Sequence, residues 1–213
     1  MNFNLSGFEV LLLSQKALFL PAQRILLVSD LHLGKIEHFR ASGIGLPLGA
    51  TERTIFILDQ LIQQWNPLQI IFLGDLFHSR KNSAFTLFED WRLRYGDIEM
   101  ILIHGNHDIL SNQDYYDLGL KIHSEYDIGS IWLTHEPQII TNEESRFNLA
   151  GHVHPGVRLR GKGKQSLTLP CFWFGERQGL MPAFGHFTGK HLVDIHENTI
   201  IFAIANDQVI RII

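Results

Sequence analysis

Histidine, aspartate and asparagine side chains stand in short groups along this chain of 213 residues, and their types suit metal binding. Carboxylate and amide oxygens combined with neutral imidazole nitrogens favour manganese, iron or zinc over magnesium alone. The single cysteine, Cys171, excludes an all-cysteine zinc site and an intramolecular disulfide framework. The polar groups contain Asp30, His32, Asp75, Asn106, His107, Asp108, His135, His152 and His154.

The number of candidate ligands exceeds what one ion needs, which favours two ions that share a carboxylate. Asp75 follows Gly74 at the end of a central apolar run and is the best candidate for the shared ligand. One residue separates Asp30 from His32, and the same spacing recurs at residues 152–154. Both members of such a pair can face one ion if the chain bends there.

A short apolar run precedes each polar group, with the length and composition of a strand that is buried on both faces. The five runs with their polar ends are residues 24–32, 68–75, 99–108, 130–136 and 146–154. Ligands of open α/β sheets bind beyond the carboxyl ends of the strands. We therefore expect the polar side chains to converge on one rim.

Longer segments with helical spacing of apolar residues, 50–65 and 83–95, separate the first three runs. This alternation predicts parallel strands in an α/β fold. Short β-like runs at residues 166–169, 199–203 and 208–212 predict a second sheet, and residues 9–13 and 17–20 are expected to join a sheet too. The predicted architecture is a single domain, residues 1–213, with two mixed β-sheets packed together and flanked by helices.

Composition restricts the class of protein further. Hydrophobic residues make up 45% and charged residues 19% of the chain, which argues against disorder. No apolar stretch reaches the roughly 18 residues that a membrane span needs. The first residues lack the basic region and cleavage site of a signal peptide, so a cytoplasmic location without membrane contact is expected.

The order of the motifs resembles the calcineurin-like metallophosphoesterase superfamily: D-x-H at Asp30, G-D at Asp75, G-N-H-D at residues 105–108, a lone His135, and G-H-x-H at residues 151–154. Longer stretches resemble the bacterial ligase-associated DNA-damage-response endonucleases. These are DLHLGK (30–35), GDLFHSR (74–80), HEP (135–137), GHVHPGVRLRG (151–161), LPCFWF (169–174) and PAFGHFTG (182–189). The resemblance covers residues 14–213 and implies a metallophosphoesterase-type layered sandwich. No insertion is long enough to form a cap domain.

This resemblance implies a role for each residue. The ligands it implies for the first metal are Asp30, His32, Asp75 and His154, and those for the second are Asp75, Asn106, His135 and His152. His107 matches a histidine that assists phosphoryl transfer without binding metal, and Asp108 is expected to orient it. Lys35 and Arg80 follow ligands closely along the chain and are candidate phosphate contacts.

The function implied is that of a metallophosphoesterase, in which a hydroxide bridging two divalent ions attacks a phosphodiester in line. Mn²⁺ is the first choice of metal, with iron or zinc as alternatives. The resemblance implies that the substrate is DNA and that the protein is a nuclease or endonuclease of DNA repair. It also implies association with a DNA ligase or helicase, and it is compatible with a homodimer. Two other functions fit the same residues: hydrolysis of nucleotides or other small phosphoesters, and a noncatalytic, metal-stabilised subunit of a repair complex.

Three features outside the motif residues have two interpretations each. The basic stretch at residues 158–164 could guide a nucleic-acid backbone or form a solvated hairpin. The aromatic residues between 172 and 187 could stack on bases, although sheet core is the more common use of such residues. His78 and His104 could support the ligands or be ordinary residues.

Overall fold

The apolar runs and amphipathic segments form strands and helices in the computed structural model, which describes residues 1–46, 49–141, 146–161, 163 and 165–212. The helices are α1 (Lys35–Ala41), α2 (Ala50–Trp65), α3 (Ser83–Leu93) and α4 (Asn112–Asp117). The strands are β1 (Asn2–Leu5), β2 (Phe8–Leu12), β3 (Leu18–Leu20), β4 (Ile25–Val28), β5 (Gln69–Phe72), β6 (Glu99–Ile103), β7 (Leu120–His123), β8 (Glu125–Ile128), β9 (Ile131–Thr134), β10 (Phe147–Ala150), β11 (Pro155–Arg160), β12 (Ser166–Phe174), β13 (Gln178–Leu180), β14 (His191–Leu192), β15 (Ile200–Ala205) and β16 (Gln208–Arg211). Within these ranges, no helix is both long and apolar enough to cross a membrane.

The first sheet follows the chain from β1 to β7 in order. Its first four strands pair antiparallel, so the N-terminal segments join the sheet as expected. The strands from β4 to β7 pair parallel, and the chain returns between them through the helices. Parallel neighbours need such crossovers, which confirms the alternation of strands and helices expected from the sequence.

The second sheet has the order β14-β11-β12-β13-β10-β9-β8, and β15 and β16 extend it from β12. Strands β9, β10 and β13 are parallel, whereas β8 and β12 pair antiparallel to their neighbours. Both sheets are therefore mixed, as predicted. Helical residues pack on the outer side of the first sheet, while the small cluster around Cys171 in the second sheet contains none in the described part of the chain.

Strand β4 shows how one short apolar run serves two layers. Leu26 and Val28 belong to the cluster that packs against the helices, whereas Ile25 and Leu27 belong to the cluster between the two sheets. Side chains of a strand alternate between its faces, so a strand buried on both faces must be apolar throughout. The aromatic residues Phe172 and Phe174 also lie between the sheets, which supports the core interpretation.

The carboxyl ends of strands from both sheets meet at one rim. In the first sheet, the loop after β4 hydrogen-bonds to the loop after β5, with 3.2 Å from Asp30 N to Gly74 O. In the second sheet, Gly151 N donates to His135 O at 3.0 Å. The polar groups that follow these strands are thereby brought together, although their residues lie up to 124 positions apart along the chain.

Candidate metal centre

Two clusters of potential ligand atoms lie at this rim. One contains Asp30, His32 and His154, and the other contains Asp75, His135 and His152. Within each cluster the ligand atoms lie within 4.8 Å of one another. These six residues match the division between two metals that the resemblance implies.

Asp75 belongs to the second cluster and also faces the first. Its Oδ2 atom is 3.6 Å from His32 Nε2, and its Oδ1 atom is 3.4 Å from His135 Nε2. The side chain is almost completely buried, so neither oxygen is directed into bulk solvent. A carboxylate with one oxygen toward each cluster has the geometry of a ligand shared by two ions.

The atoms around His135 are arranged as a set of potential metal ligands in the second cluster. The Nδ1 atom of His135 lies 2.8 Å from the carbonyl oxygen of Leu73, which accepts a hydrogen bond from Nδ1–H. Nε2 is therefore the nitrogen of this ring that is available to a metal. It faces Asn106 Oδ1 at 3.0 Å, Asp75 Oδ1 at 3.4 Å and His152 Nδ1 at 3.2 Å. Such a convergence of lone pairs fits a metal ion.

The first cluster has the same character. His154 Nε2 lies 3.2 Å from Asp30 Oδ1 and 3.4 Å from His32 Nε2. Burial lowers the pKa of His32 to about 3, so the ring is neutral near pH 7, the form that binds metal. Burial alone would raise the pKa of Asp30, but hydrogen bonds from His154 and Ser29 outweigh it and keep the carboxylate ionised.

Five candidate ligands have a left-handed backbone conformation, which is uncommon for residues other than glycine. The φ angles are +53° at Asp30, +48° at His32, +51° at Asp75, +62° at His152 and +52° at His154. These conformations supply the bends that the D-x-H and H-x-H spacings require. Each costs about 1–2 kcal/mol, which indicates that the surrounding structure holds the ligands in strained positions.

Glycine is required at one position in each of three motifs, because residues from other motifs occupy the space that a side chain would need. A Cβ at Gly74, where φ is +81°, would overlap the imidazole of His135. A Cβ at Gly105 would lie 2.6 Å from Asp75 N, and one at Gly151 would lie 2.7 Å from Asp30 Oδ2. Absence of a side chain at these positions allows the five polar groups to approach one another.

Replacement of Gly74 by alanine is expected to displace His135 and weaken metal binding in the second cluster. Gly43 is a matched control, because its φ of +86° imposes the same backbone strain while no other atom lies within 4 Å of an added Cβ. We expect G43A to cost about 1 kcal/mol, and G74A about 3 kcal/mol together with loss of about one bound ion. Urea unfolding and metal analysis measure both effects, and equal effects of the two substitutions would contradict this account.

Asp108 is buried beneath the loop that carries Asp75 and has a different set of contacts from the one expected. Its Oδ2 accepts hydrogen bonds from the backbone N–H groups of Asp75 at 2.8 Å and Gly105 at 2.9 Å. Its Oδ1 accepts from Leu76 N at 3.0 Å and the Tyr115 hydroxyl at 3.2 Å, with a longer contact to Phe77 N.

The hydrogen bonds found in the described residues do not join the Asp108 carboxylate to the His107 ring. The resemblance predicts that Asp108 orients that ring, but its contacts orient the backbone of a ligand loop instead. Two carboxylate oxygens suit this position, since every partner around them is an N–H or O–H donor.

An asparagine at position 108 would turn an amide N–H₂ group toward backbone N–H donors. We therefore expect D108N to lower the free energy of unfolding by roughly 3 kcal/mol and to weaken metal binding by 10- to 100-fold. Y115F removes a single hydrogen bond to the same carboxylate and should cost about 1 kcal/mol. Thermal unfolding and metal titration provide the measurements, and a D108N protein with wild-type affinity would overturn the positioning role.

His107 is half-buried beside the first cluster. Its backbone N–H donates to Asp75 Oδ1 at 2.9 Å, and its ring centroid lies 5.2 Å from that of His32. The ring also stacks on His78, with centroids 5.0 Å apart. Burial, together with the charges of Lys35 and His107, lowers the pKa of His78 to about 4. His78 is thus a neutral neighbour of His107. In the sequence, only its place in the GDLFHSR motif indicates that it lies near the centre.

The two basic candidates are placed differently. Lys35 is the first residue of α1 and lines a depression together with His32. Burial lowers its pKa, whereas the charges of Asp75 and Asp30 oppose that shift. Arg80 is exposed and lines a neighbouring depression with Glu37. Contacts found in the described residues do not join Arg80 to a candidate ligand.

Comparison with known proteins assigns the class. The family model of the calcineurin-like phosphoesterases matches residues 23–178, and the chain belongs to this family. Its structure is similar to the crystal structure of the nuclease MPE from Pseudomonas putida, with 32% sequence identity, a TM-score of 0.84, and coverage of 100% of this chain and 99% of that one. It also matches the phosphoesterase Yfce from E. coli at 17% identity and a TM-score of 0.45, with coverage of 87% and 96%. No curated protein matches the chain.

Proposed function

We propose that this protein is a binuclear-metal-dependent phosphodiesterase that acts on DNA as a nuclease, and specifically as an endonuclease in DNA repair. The observation that carries the proposal is the pair of ligand clusters at the meeting point of the two sheets, in which Asp75 contacts a histidine of each cluster. Membership of the calcineurin-like phosphoesterase family supports phosphoester hydrolysis. Full-length similarity to a nuclease at 32% identity supports a nucleic-acid substrate.

Two divalent ions, with Mn²⁺ as the first choice and iron or zinc as alternatives, are part of this proposal. The ligands we propose are Asp30, His32, Asp75, Asn106, His135, His152 and His154. When bound, such ions supply an activated water and neutralise charge on the phosphate oxygens. In the described part of the chain, the clusters contain only two carboxylates, whose negative charges do not balance the positive charges of two divalent ions. The loaded centre would therefore attract an anionic phosphodiester.

The chain's own side chains supply the rest of the proposed chemistry. His107 lies beside the first cluster without belonging to it and can donate a proton to the leaving oxygen. The Lys35 ammonium group can contact a nonbridging phosphate oxygen, because Lys35 lines a depression together with the proposed ligand His32. Arg80 is proposed to contact the substrate further from the metals. Asp108 acts indirectly by holding the loop of Asp75.

Metal-depleted protein reloaded with Mn²⁺, Fe²⁺, Zn²⁺ or Mg²⁺ tests this function. We expect Mn²⁺ to support cleavage of circular single-stranded DNA, a substrate without ends that reports endonuclease action, and of bis(p-nitrophenyl) phosphate. Brisk turnover of p-nitrophenyl phosphate without DNA cleavage would instead establish a small-molecule phosphoesterase. Two bound ions with no turnover of any substrate would establish a noncatalytic subunit.

Partners and location complete the proposal. We propose a cytoplasmic protein of one domain, residues 1–213, without a cap over the rim, which leaves room for a polymer. We also propose association with a DNA ligase or helicase, and formation of a homodimer. Both proposals rest on the resemblance to the ligase-associated endonucleases. Co-purification with the ligase and sedimentation of the isolated protein would test these two associations separately.

A further inference from the structure

The segment from Phe184 to His191 is attached at both ends to the loops of the first ligand cluster. Near its start, Phe184 N donates to Ser29 O at 2.7 Å and Gly185 N donates to Asp30 O at 3.1 Å. At its end, His191 N donates to His154 O at 3.0 Å. The side chains between these ends are therefore carried directly beside the candidate metal ligands.

Lys16 lies under this segment and is held in place by its backbone. Its Nζ atom donates to the carbonyl oxygens of Phe184 at 2.9 Å and Gly185 at 3.0 Å. An ammonium group has three N–H donors, so one of them is not used by these two bonds. Burial and the charge of Lys190 lower the pKa of Lys16 to about 8, and both lysines line one depression.

A depression next to the first cluster collects these groups. Its lining includes His154, Lys16, His186, Thr188 and Lys190, and it contains no carboxylate among the residues that the structure describes. In the part of the chain that the structure describes, neither Lys16 nor Lys190 forms an ion pair with an aspartate or glutamate. Two lysines that line one depression, with no carboxylate among its lining residues, favour an anion in that depression.

We propose that this depression binds the phosphate adjacent to the scissile phosphate of a nucleic-acid strand, through Lys16, Lys190 and His186. The inference rests on the proposed function and deepens it, because it makes a polynucleotide the preferred substrate over a single phosphoester. A second depression, which contains His32 and Lys35, shares His186 and Thr188 with the first. A strand bound at the metals would therefore extend into the Lys16 depression past His186 and Thr188.

The subsite predicts a loss of affinity that depends on substrate length. In the metal-loaded enzyme, we expect K190Q and K16M each to raise KM for a single-stranded oligonucleotide by about 10-fold, as expected for one lost charge-assisted contact. Bis(p-nitrophenyl) phosphate has no second phosphate, so the same variants should raise KM for this substrate by about two-fold or less. The slope of log KM against log salt should fall by about 0.7 for each lost contact. Lys190 is exposed, so K190Q tests the subsite even if K16M does not fold.

Short substrates locate the second phosphate. The dinucleotide TpT has no flanking phosphate, whereas pTpT and TpTp carry one on the 5′ or the 3′ side. We expect one of the last two to bind more tightly than TpT to the wild-type enzyme and to lose that advantage in K190Q. Inorganic phosphate should inhibit cleavage of pTpT or TpTp, whichever is favoured, more strongly in wild type than in K190Q.

Arg160 is the matched control, an exposed cation at the far end of β11 within the basic stretch of residues 158–164. R160Q removes the same charge and should leave all these ratios unchanged. Equal KM changes for the oligonucleotide and the small diester in K190Q would overturn the subsite, and so would an effect confined to R160Q. Wild-type protein that cleaves no nucleic acid would refute the proposed function itself, whereas DNA cleavage that K190Q and K16M do not alter would refute only the subsite.

Discussion

Replacement of Asp75 by asparagine is expected to reduce phosphodiester turnover by about 10³-fold or more and to lower the bound metal from two ions per chain to about one. Asp75 is the side chain whose two oxygens face both clusters, at 3.6 Å from His32 Nε2 and 3.4 Å from His135 Nε2. An amide offers one neutral, weakly binding oxygen in place of two oxygens that share a negative charge. Metal analysis by mass spectrometry and hydrolysis of bis(p-nitrophenyl) phosphate measure the two effects on the same sample.

The same substitution at a surface aspartate separates this effect from general damage to the fold. Asp127 is half-exposed on β8 and pairs with Arg146 at the surface, so D127N should retain both ions and full turnover. Circular dichroism should show that D75N keeps its secondary structure. If D75N bound two ions and turned over like the wild type, Asp75 would not be the shared ligand.

Replacement of His107 by alanine is expected to lower turnover by roughly 10²- to 10⁴-fold while both ions stay bound. The physical reason is its position beside the first cluster, with its ring 5.2 Å from that of His32 and its backbone tied to Asp75. A group placed there can protonate the leaving oxygen without being needed to bind metal. The measurement is again turnover of bis(p-nitrophenyl) phosphate, paired with the metal content of each preparation.

Two further variants sharpen the test of His107. H107N keeps a hydrogen-bond donor but cannot transfer a proton, so turnover between that of the alanine variant and the wild type would separate the two contributions. H123A removes an exposed histidine of β7 and should leave both turnover and metal content unchanged. Loss of metal from H107A would mark His107 as a ligand and contradict its assignment as a proton donor.

Much of the fold could be predicted because it depends on local patterns. The helix predicted at residues 50–65 has those boundaries in the structure, since its apolar positions recur every three to four residues and Asn66 ends it in a left-handed conformation. The second sheet was predicted less completely. Strand β12 continues through Pro170, which pairs with Gly156 although proline has no backbone N–H, whereas proline normally marks the end of a predicted strand.

The candidate ligands could be found from the sequence because their chemistry is a property of residue type. Aspartate, asparagine and histidine at the ends of apolar runs predict metal binding wherever those strands end side by side. Position in space is not local, and three features therefore escaped prediction. These are the stacking of His78 on His107, the contacts of Asp108 with the loop of Asp75, and the placement of Lys16 under Phe184.

The sequence by itself determined the kinds of ligand, their order and the strands that precede them. Only the tertiary structure decided which atoms meet, because the two clusters join residues as distant as Asp30 and His154 across two sheets. It also explained Gly74, which must lack a side chain because His135 from the other sheet occupies that space. Residue type and local spacing set the chemistry available to this chain, and long-range packing sets the distances at which that chemistry can act.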